Sequence, residues 1–169
     1  DEYWDLYKHE EIPLPTIPPI TIEDMDHLSR NLHYCQGRHE FTVTDEHRKN
    51  AKHAYYGMIS YIDNKISALR TALNRSGMAE DTIIIFAADH GEMMGERGMW
   101  YKQHFFEWAA NIPLIFHAPS RWSPSRISQN CSLVDIMPTI LDLANNKPFT
   151  DYVDPIDGAS LVDALHNDS

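Results

Sequence analysis

One long segment of the chain has apolar residues spaced three and four positions apart, beginning after Thr44. This spacing places apolar side chains on one face of an α-helix. Thr44 suits the N-cap position, and Gly77 suits the position just past the helix C-terminus. We therefore expect one helix of roughly thirty residues, about 45 Å long, with its apolar face covering a sheet. The face comprises Tyr55, Met58, Ile59, Ile62, Ile66, Leu69 and Leu73.

The segment that follows is apolar without alternation. Residues 83–88 read Ile-Ile-Ile-Phe-Ala-Ala, which is typical of a strand buried on both faces. A second buried strand is predicted at residues 112–116 and a short strand at 127–131. A helix should follow Pro138, which suits a first helical position. Strands and helices in this arrangement predict an α/β fold in which helices flank a mixed sheet.

The beginning of the chain has a different character. Four prolines, at positions 13, 15, 18 and 19, prevent a regular helix there and favour an extended chain. We expect residues 1–41 to be irregular and to wrap over a larger body. Residues 42–169 then form the α/β body.

Composition and charge narrow the range of possible functions. With 169 residues and 43% hydrophobic content, the chain can build a real core. Its net charge of −11 argues against nucleic-acid binding, so an anionic substrate would need local cations. No apolar run approaches the length of a membrane span, so we expect no membrane association. Cys35 and Cys131 lack a nearby partner cysteine, and we interpret both as small buried or half-buried thiols rather than as a disulfide or a nucleophile.

Candidate chemistry lies directly after the first predicted strand. Asp89 and His90 follow it, and ligands bind at the carboxyl ends of strands in open α/β sheets. A carboxylate beside an imidazole suits a metal ion, although a turn or cap role for Asp89 is the simpler alternative. Lys102 supplies a cation further along the same loop. His104 is a candidate general acid or else a plain loop histidine, and Glu96 should pair with Arg97.

A longer stretch of this region resembles a known family. Residues 89–102 read Asp-His-Gly-Glu-Met-Met-Gly-Glu-Arg-Gly-Met-Trp-Tyr-Lys, followed by Phe-Phe-Glu at 105–107 and Ile-Pro-Leu-Ile at 112–115. Together they resemble the sulfatase family of the alkaline-phosphatase superfamily, and within it most of all the choline-sulfatases and the related phosphonate monoester hydrolases. The resemblance covers nearly the whole chain. It implies an alkaline-phosphatase-like sulfatase fold, of which residues 1–169 would be the C-terminal part of the catalytic domain.

The resemblance also implies a reaction and its participants. It implies metal-dependent hydrolysis of a small anionic sulfate ester, with choline sulfate as the substrate. Asp89 and His90 would bind one divalent ion (calcium, manganese or magnesium). Lys102 would be catalytic by holding a sulfate oxygen, whereas His104 is a catalytic candidate only because it lies two residues after Lys102. The nucleophile of such enzymes is a formylglycine made from the Cys of Cys-x-Pro-x-Arg. Neither Cys35 nor Cys131 matches that motif, so we expect the nucleophile upstream and this piece alone to be inactive.

Two other functions stay open from the sequence. A phosphonate monoester or phosphodiester hydrolase would share the Asp-His and Lys pattern, and a non-catalytic α/β binding or assembly domain would need none of it. We further expect a homo-oligomer of the full-length protein. We expect a cytoplasmic location, or a periplasmic one if a signal peptide lies upstream.

Overall fold

The computed structural model describes residues 2–167 and divides them into two compact units. The first unit comprises the chain up to Ala79 together with Phe86–Leu114. The second comprises Glu80–Ile85 and the chain from Ile115 onward. The candidate site residues named above all belong to the first unit.

Helices dominate the described residues, and a two-stranded sheet is the one sheet among them. Short 3-10 turns join the longer elements. The helices are α1 (His27–Cys35), α2 (Asp45–Arg75), α3 (Glu107–Ala110), α4 (Ile136–Asn145) and α5 (Val162–Asn167), and the neighbouring strands are β1 (Ile84–Ala87) and β2 (Leu114–His117).

The long helix α2 is confirmed, with both of its ends as predicted. The Thr44 hydroxyl accepts a hydrogen bond from the amide of His47 at 3.2 Å, and Gly77 has a φ of +72°. The apolar face of α2, however, is not covered as predicted. Among the described residues, Met58 and Ile59 are more than half exposed, as is Leu69, so this chain does not cover that face.

The burial of α2 lies instead in its N-terminal half. His53 and Gly57 are its two buried residues. The Trp4 ring stacks on the His53 ring with centroids 3.6 Å apart, and a Cβ on Gly57 would meet the Tyr3 carbonyl at 3.3 Å. The helix therefore packs against the first residues of the chain through small or flat side chains, which the spacing of apolar residues does not reveal.

Two strand predictions need correction. The strand β1 forms, but its residues are half-buried or exposed rather than buried on both faces, because the described sheet has two strands only. The short strand expected at 127–131 does not form.

The proline-rich segment is irregular over part of its predicted length. Residues 12–26 contain neither helix nor strand, as the prolines predict, but the expectation of irregular chain up to residue 41 is wrong at α1. Asp26 caps that helix by accepting from the amide of Ser29 at 3.0 Å.

The first unit has a small core built largely from methionine. Met25, Met93, Met99 and Ala109 are buried together, with Ile20 and Phe106 packed against them. Methionine is unbranched and adapts to irregular gaps, which suits a core formed between loops. Two of the four buried residues come from the loop after β1. The core therefore fixes the position of the loop that carries the candidate site.

The second unit is organised around the start of α4. Pro138 is the third residue of this helix rather than the first. The Thr139 hydroxyl donates to the Asp135 carbonyl at 2.6 Å and accepts from the Leu161 amide at 2.9 Å. The Asp135 carboxylate accepts from the Ala159 amide at 2.8 Å. Across residues 2–167 we find no helix that is both long and apolar enough to cross a membrane.

Candidate active site

Asp89 and His90 present two ligand atoms side by side. The His90 Nδ1 lies 2.8 Å from the Gly91 carbonyl oxygen, which can only accept, so Nδ1 carries the proton. The other nitrogen, Nε2, then has a free lone pair in the neutral ring. It lies 3.4 Å from Asp89 Oδ2. Ligand atoms about 2.1–2.5 Å from one ion and at right angles are about 3.0–3.5 Å apart, so this spacing suits a shared metal ion.

The site is also open to a ligand. The Asp89 side chain is 84% exposed and that of His90 is 37% exposed. Asp89 Oδ1 accepts from the His90 amide at 3.0 Å, which orients the carboxylate and leaves Oδ2 toward the imidazole. A carbonyl that fixes the tautomer of a histidine is the usual support for a metal-binding imidazole. The pair therefore fits a divalent ion as part of its ligand set.

Gly91 must be glycine for a reason of space. A Cβ at this position would lie 2.0 Å from the carbonyl oxygen of Trp108, because the two backbones run in contact. The Gly91 amide donates to the Ala109 carbonyl at 2.8 Å. The backbone directly after the Asp-His pair is thus held against the start of α3.

The loop from 92 to 101 closes on itself. The Met93 amide donates to the Tyr101 carbonyl at 2.9 Å, and the Tyr101 amide donates to the Glu92 carboxylate at 2.6 Å. Met94, Arg97 and Tyr101 have positive φ values of 48°, 59° and 66°. Such backbone conformations are costly for residues other than glycine and persist where the surroundings enforce them. Glu92, which sequence reasoning passed over, is therefore the residue that closes this loop.

Lys102 follows Tyr101 directly, so loop closure returns it toward the Asp-His end of the segment. Its side chain is exposed. Within residues 2–167 its ammonium forms no ion pair with a carboxylate. An exposed cation without an acidic partner, in a chain of net charge −11, is available to an anionic ligand. No contact joins Lys102 to Asp89 or His90.

The expected ion pair between Glu96 and Arg97 is wrong. The Glu96 carboxylate is buried, with 3% of the residue exposed, and accepts from the amides of Thr16 and Ile17 at 2.8–3.0 Å. Arg97 lies over the ring of Phe106, 4.6 Å from its centroid. The carboxylate thus holds the proline-rich segment against the site loop. Alternating charges in a sequence cannot reveal this, because the partners are backbone amides eighty residues away.

His104 lies in the interior rather than on the loop surface, with 6% exposed. Its Nδ1 is 3.3 Å from the Ser29 hydroxyl, and its Nε2 is 3.4 Å from Arg38 Nη1. Burial, and secondly the Arg38 charge, hold the pKa of His104 below its ordinary value. The catalytic role of His104 stays a prediction, but neither ring nitrogen faces solvent freely.

The described residues do not complete a metal site. Between residues 2 and 167 no three side chains from His, Cys, Asp and Glu gather where they could hold an ion. Cys35 and Cys131 are free thiols as expected, but both are exposed rather than buried or half-buried. A metal bound at Asp89 and His90 would need further ligands that this part of the chain does not bring to them.

The first unit thus joins a carboxylate–imidazole pair at a strand end to a strained loop and an exposed lysine, and the fold around them has solved relatives. The phosphonate monoester hydrolase SpPMH from Silicibacter pomeroyi matches 99% of this chain with a TM-score of 0.82 and 28% identity. The putative sulfatase yidJ from Bacteroides fragilis matches with a TM-score of 0.64 at 24% identity, which concerns the fold alone. The fold is the alkaline-phosphatase-like α/β fold of sulfatases, of which this chain forms a part.

The family follows from the sequence comparisons. The family model Sulfatase matches residues 27–146, and the chain belongs to the sulfatase family. It is 36% identical over 166 residues to the choline-sulfatase of Rhizobium meliloti (strain 1021), covering 95% of this chain and 31% of that protein. It is 31% identical to an arylsulfatase of Clostridium perfringens (strain 13 / Type A), covering 96% of this chain and 33% of that protein. The chain therefore spans about a third of the length of these curated relatives.

Proposed function

We propose that the protein containing this chain hydrolyses sulfate monoesters and that Asp89 and His90 bind its divalent metal ion. The observation that carries the proposal is the fixed His90 tautomer, which leaves Nε2 beside Asp89 Oδ2 at 3.4 Å. Membership of the sulfatase family supports the reaction class. A bound divalent ion would act there as a Lewis acid toward the ester oxygens.

The residues of this chain have three tasks in the proposed reaction. Asp89 and His90 hold the metal, one through a hard carboxylate oxygen and the other through a neutral nitrogen. Lys102 places its ammonium on a non-bridging oxygen of the ester and stabilises the negative charge that grows in the transition state. Gly91 and Glu92 keep the two ends of the loop in place through their backbone and carboxylate contacts. The nucleophile, a formylglycine in our proposal, comes from outside the described residues.

Choline sulfate is the substrate we propose first, on the 36% identity to the choline-sulfatase of Rhizobium meliloti. The second candidate is a phosphonate monoester, which the SpPMH match favours with its TM-score of 0.82. Both esters present anionic oxygens to the same cations, so Lys102 and the metal pair do not separate them. A non-catalytic binding module is the third possibility and predicts turnover of neither. Cytoplasmic location and homo-oligomerisation of the full-length protein stay predictions, which fractionation and light scattering would test.

Turnover assays on the full-length protein test the reaction. Choline sulfate, an aryl sulfate and a phenyl phosphonate monoester are supplied separately, with manganese, calcium or magnesium. We expect the highest kcat/KM with a sulfate ester. A preference for the phosphonate would favour the second candidate, and absence of turnover with all three would refute an enzymatic role.

Metal binding by the chain itself tests the ligand assignment without any activity. Because two ligands are too few for a tight site, residues 1–169 should bind manganese or calcium weakly in a calorimeter. Replacing Asp89 and His90 together by Ala should abolish that weak binding. Tight binding that survives the double replacement would contradict the assignment. The matched control is Asp63→Ala, which changes an exposed carboxylate on α2 and should leave binding unchanged.

A further inference from the structure

We propose that Arg38, His104, Ser29 and Asp26 form one directional hydrogen-bond chain that positions Lys102, and that His104 acts in it as a neutral positioning residue. The inference rests on the proposed function only for the role of Lys102. The chain of hydrogen bonds itself follows from the geometry.

The direction of the chain is fixed at both ends. A guanidinium can only donate and a carboxylate can only accept. Arg38 Nη1 therefore donates to His104 Nε2 at 3.4 Å, and the Ser29 hydroxyl donates to Asp26 Oδ2. Because the Ser29 hydroxyl donates its one hydrogen to Asp26, its oxygen can only accept from His104, and it lies 3.3 Å from His104 Nδ1–H. The two ends thus agree on one state of His104, which is the neutral ring with its proton on Nδ1.

Arg38 holds the backbone on both sides of Lys102. Its Nη2 donates to the Trp100 carbonyl at 2.6 Å, two residues before Lys102. Its Nη1 donates to His104, two residues after Lys102. The His104 amide in turn donates to the Lys102 carbonyl at 2.6 Å, which makes a tight turn at the lysine. A single guanidinium therefore fixes the five-residue segment whose central residue is the exposed cation.

A second link runs beside the first. Arg38 Nη2 also donates to Gln36 Oε1, and Gln36 Nε2 donates to Gln103 Oε1 at 3.0 Å. The guanidinium is partly buried, and within residues 2–167 no carboxylate forms an ion pair with it. Buried arginine usually has such a partner, because an uncompensated charge is costly away from water. Burial lowers the pKa of Arg38, and the nearby Tyr101 and Glu92 oppose that lowering without an ion pair. Asp26 is connected to the guanidinium only through Ser29 and His104.

This arrangement disfavours proton donation by His104. A general acid must carry a proton it can give up, and the proton on Nδ1 is directed to Ser29. Protonating Nε2 would place a second cation against the Arg38 guanidinium. The low pKa of His104, caused first by burial and then by Arg38, agrees with a neutral ring near neutral pH. Arg38 and, through Ser29, Asp26 are the charged groups that act on the imidazole.

The same hydrogen bonds could serve only to hold α1 against the loop, so the test must separate that structural role from the positioning of Lys102. In the full-length protein, Arg38→Met should lower kcat for a sulfate ester by about 10–100-fold, the scale of a misplaced catalytic group, with KM changed far less. In a Lys102→Ala background the same change should cost less than about threefold, because the residue acts through the lysine. If the double variant instead loses kcat by the full product of the two single-variant losses, Arg38 acts independently of Lys102 and its positioning role is overturned. Arg70→Met, at an exposed site on α2, is the matched control.

Conservative replacement at His104 supplies the second test. Gln offers an oxygen near the Nε2 position, so His104→Gln should keep most of the kcat, whereas His104→Leu should lose as much as Arg38→Met. Equal losses in both His104 variants, with folded proteins by circular dichroism, would overturn the acceptor role of the ring.

Nuclear magnetic resonance distinguishes failure of this proposal from failure of the proposed function. Labelled His104 should be neutral and protonated on Nδ1 at pH 7.5, whether or not any ester is hydrolysed. In Arg38→Met its pKa should rise toward the ordinary value, since one cause of its lowering is removed. A proton on Nε2 or a charged ring at pH 7.5 would overturn the hydrogen-bond chain. Absence of turnover in the wild-type protein would instead overturn the proposed function.

Discussion

Glu96→Ala should release the proline-rich segment from the site loop. The Glu96 carboxylate receives the amides of Thr16 and Ile17 and the Thr16 hydroxyl, with contacts between 2.8 and 3.2 Å. Glu96 is 3% exposed, so removing the carboxylate leaves these two amides without their acceptor. Thr16 is exposed and Ile17 half-buried, so water can solvate both amides after the change. Each hydrogen bond then contributes about 1 kcal/mol, and the local free energy of opening should fall by about 2 kcal/mol.

Glu96→Gln is the graded counterpart. The amide oxygen can take the place of Oε2, where three of the four contacts converge. A neutral acceptor makes hydrogen bonds about half as strong as a charged one, so the loss should be about 1 kcal/mol. The local free energy of opening should therefore be highest in the wild type, lower in Glu96→Gln and lowest in Glu96→Ala. Glu23→Gln, at an exposed site of the same unit, is the control and should change nothing.

Hydrogen exchange at Thr16 and Ile17 measures the effect directly. Because 1.4 kcal/mol corresponds to a factor of ten, exchange should quicken about fivefold in the Gln variant and about 30-fold in the Ala variant. Amides in the middle of α2 should keep their protection. Unchanged exchange at Thr16 and Ile17 in Glu96→Ala would refute the reasoning, since the carboxylate would then not be their acceptor.

Three further predictions concern the site and its support. Lys102→Ala in the full-length protein should lower kcat by about 10²–10³-fold with normal metal content, and Lys102→Arg should restore part of that activity. The control Lys147→Ala should leave kcat unchanged. A near-normal kcat in Lys102→Ala would contradict the catalytic role of Lys102. Gly91→Ala should cost about 3 kcal/mol or more in urea unfolding, because its Cβ would meet a carbonyl oxygen at 2.0 Å. Gly77→Ala, where nothing lies within 4 Å, should cost only the roughly 1–2 kcal/mol of a positive φ; equal costs would contradict the steric explanation. Because the pKa of His104 is lowered on folding, the unfolded state binds more protons, and stability should fall as pH drops below about 6.5, with a smaller slope in His104→Gln. Identical slopes would exclude His104 as the cause.

Local signals were sufficient for several features of this protein. The N-cap at Thr44 and the glycine at 77 fixed the ends of α2, because capping depends on residues a few positions apart. The unbroken apolar run located β1, and the length of the motif from Asp89 onward identified the sulfatase family. The adjacency of Asp89 and His90 is itself local, so their pairing as candidate ligands needed no tertiary information.

Long-range contacts decided the rest. The tautomer of His90 depends on the direction of the Gly91 carbonyl, and the need for glycine at 91 depends on the Trp108 backbone. Local reasoning placed Glu96 in a loop ion pair and gave no sign that His104 is buried, since the partners of these two residues lie between 66 and 80 residues away. Sequence spacing carries no information on partners at that separation. Whether a polar side chain reaches solvent, an amide or a guanidinium is decided only when the chain folds back on itself.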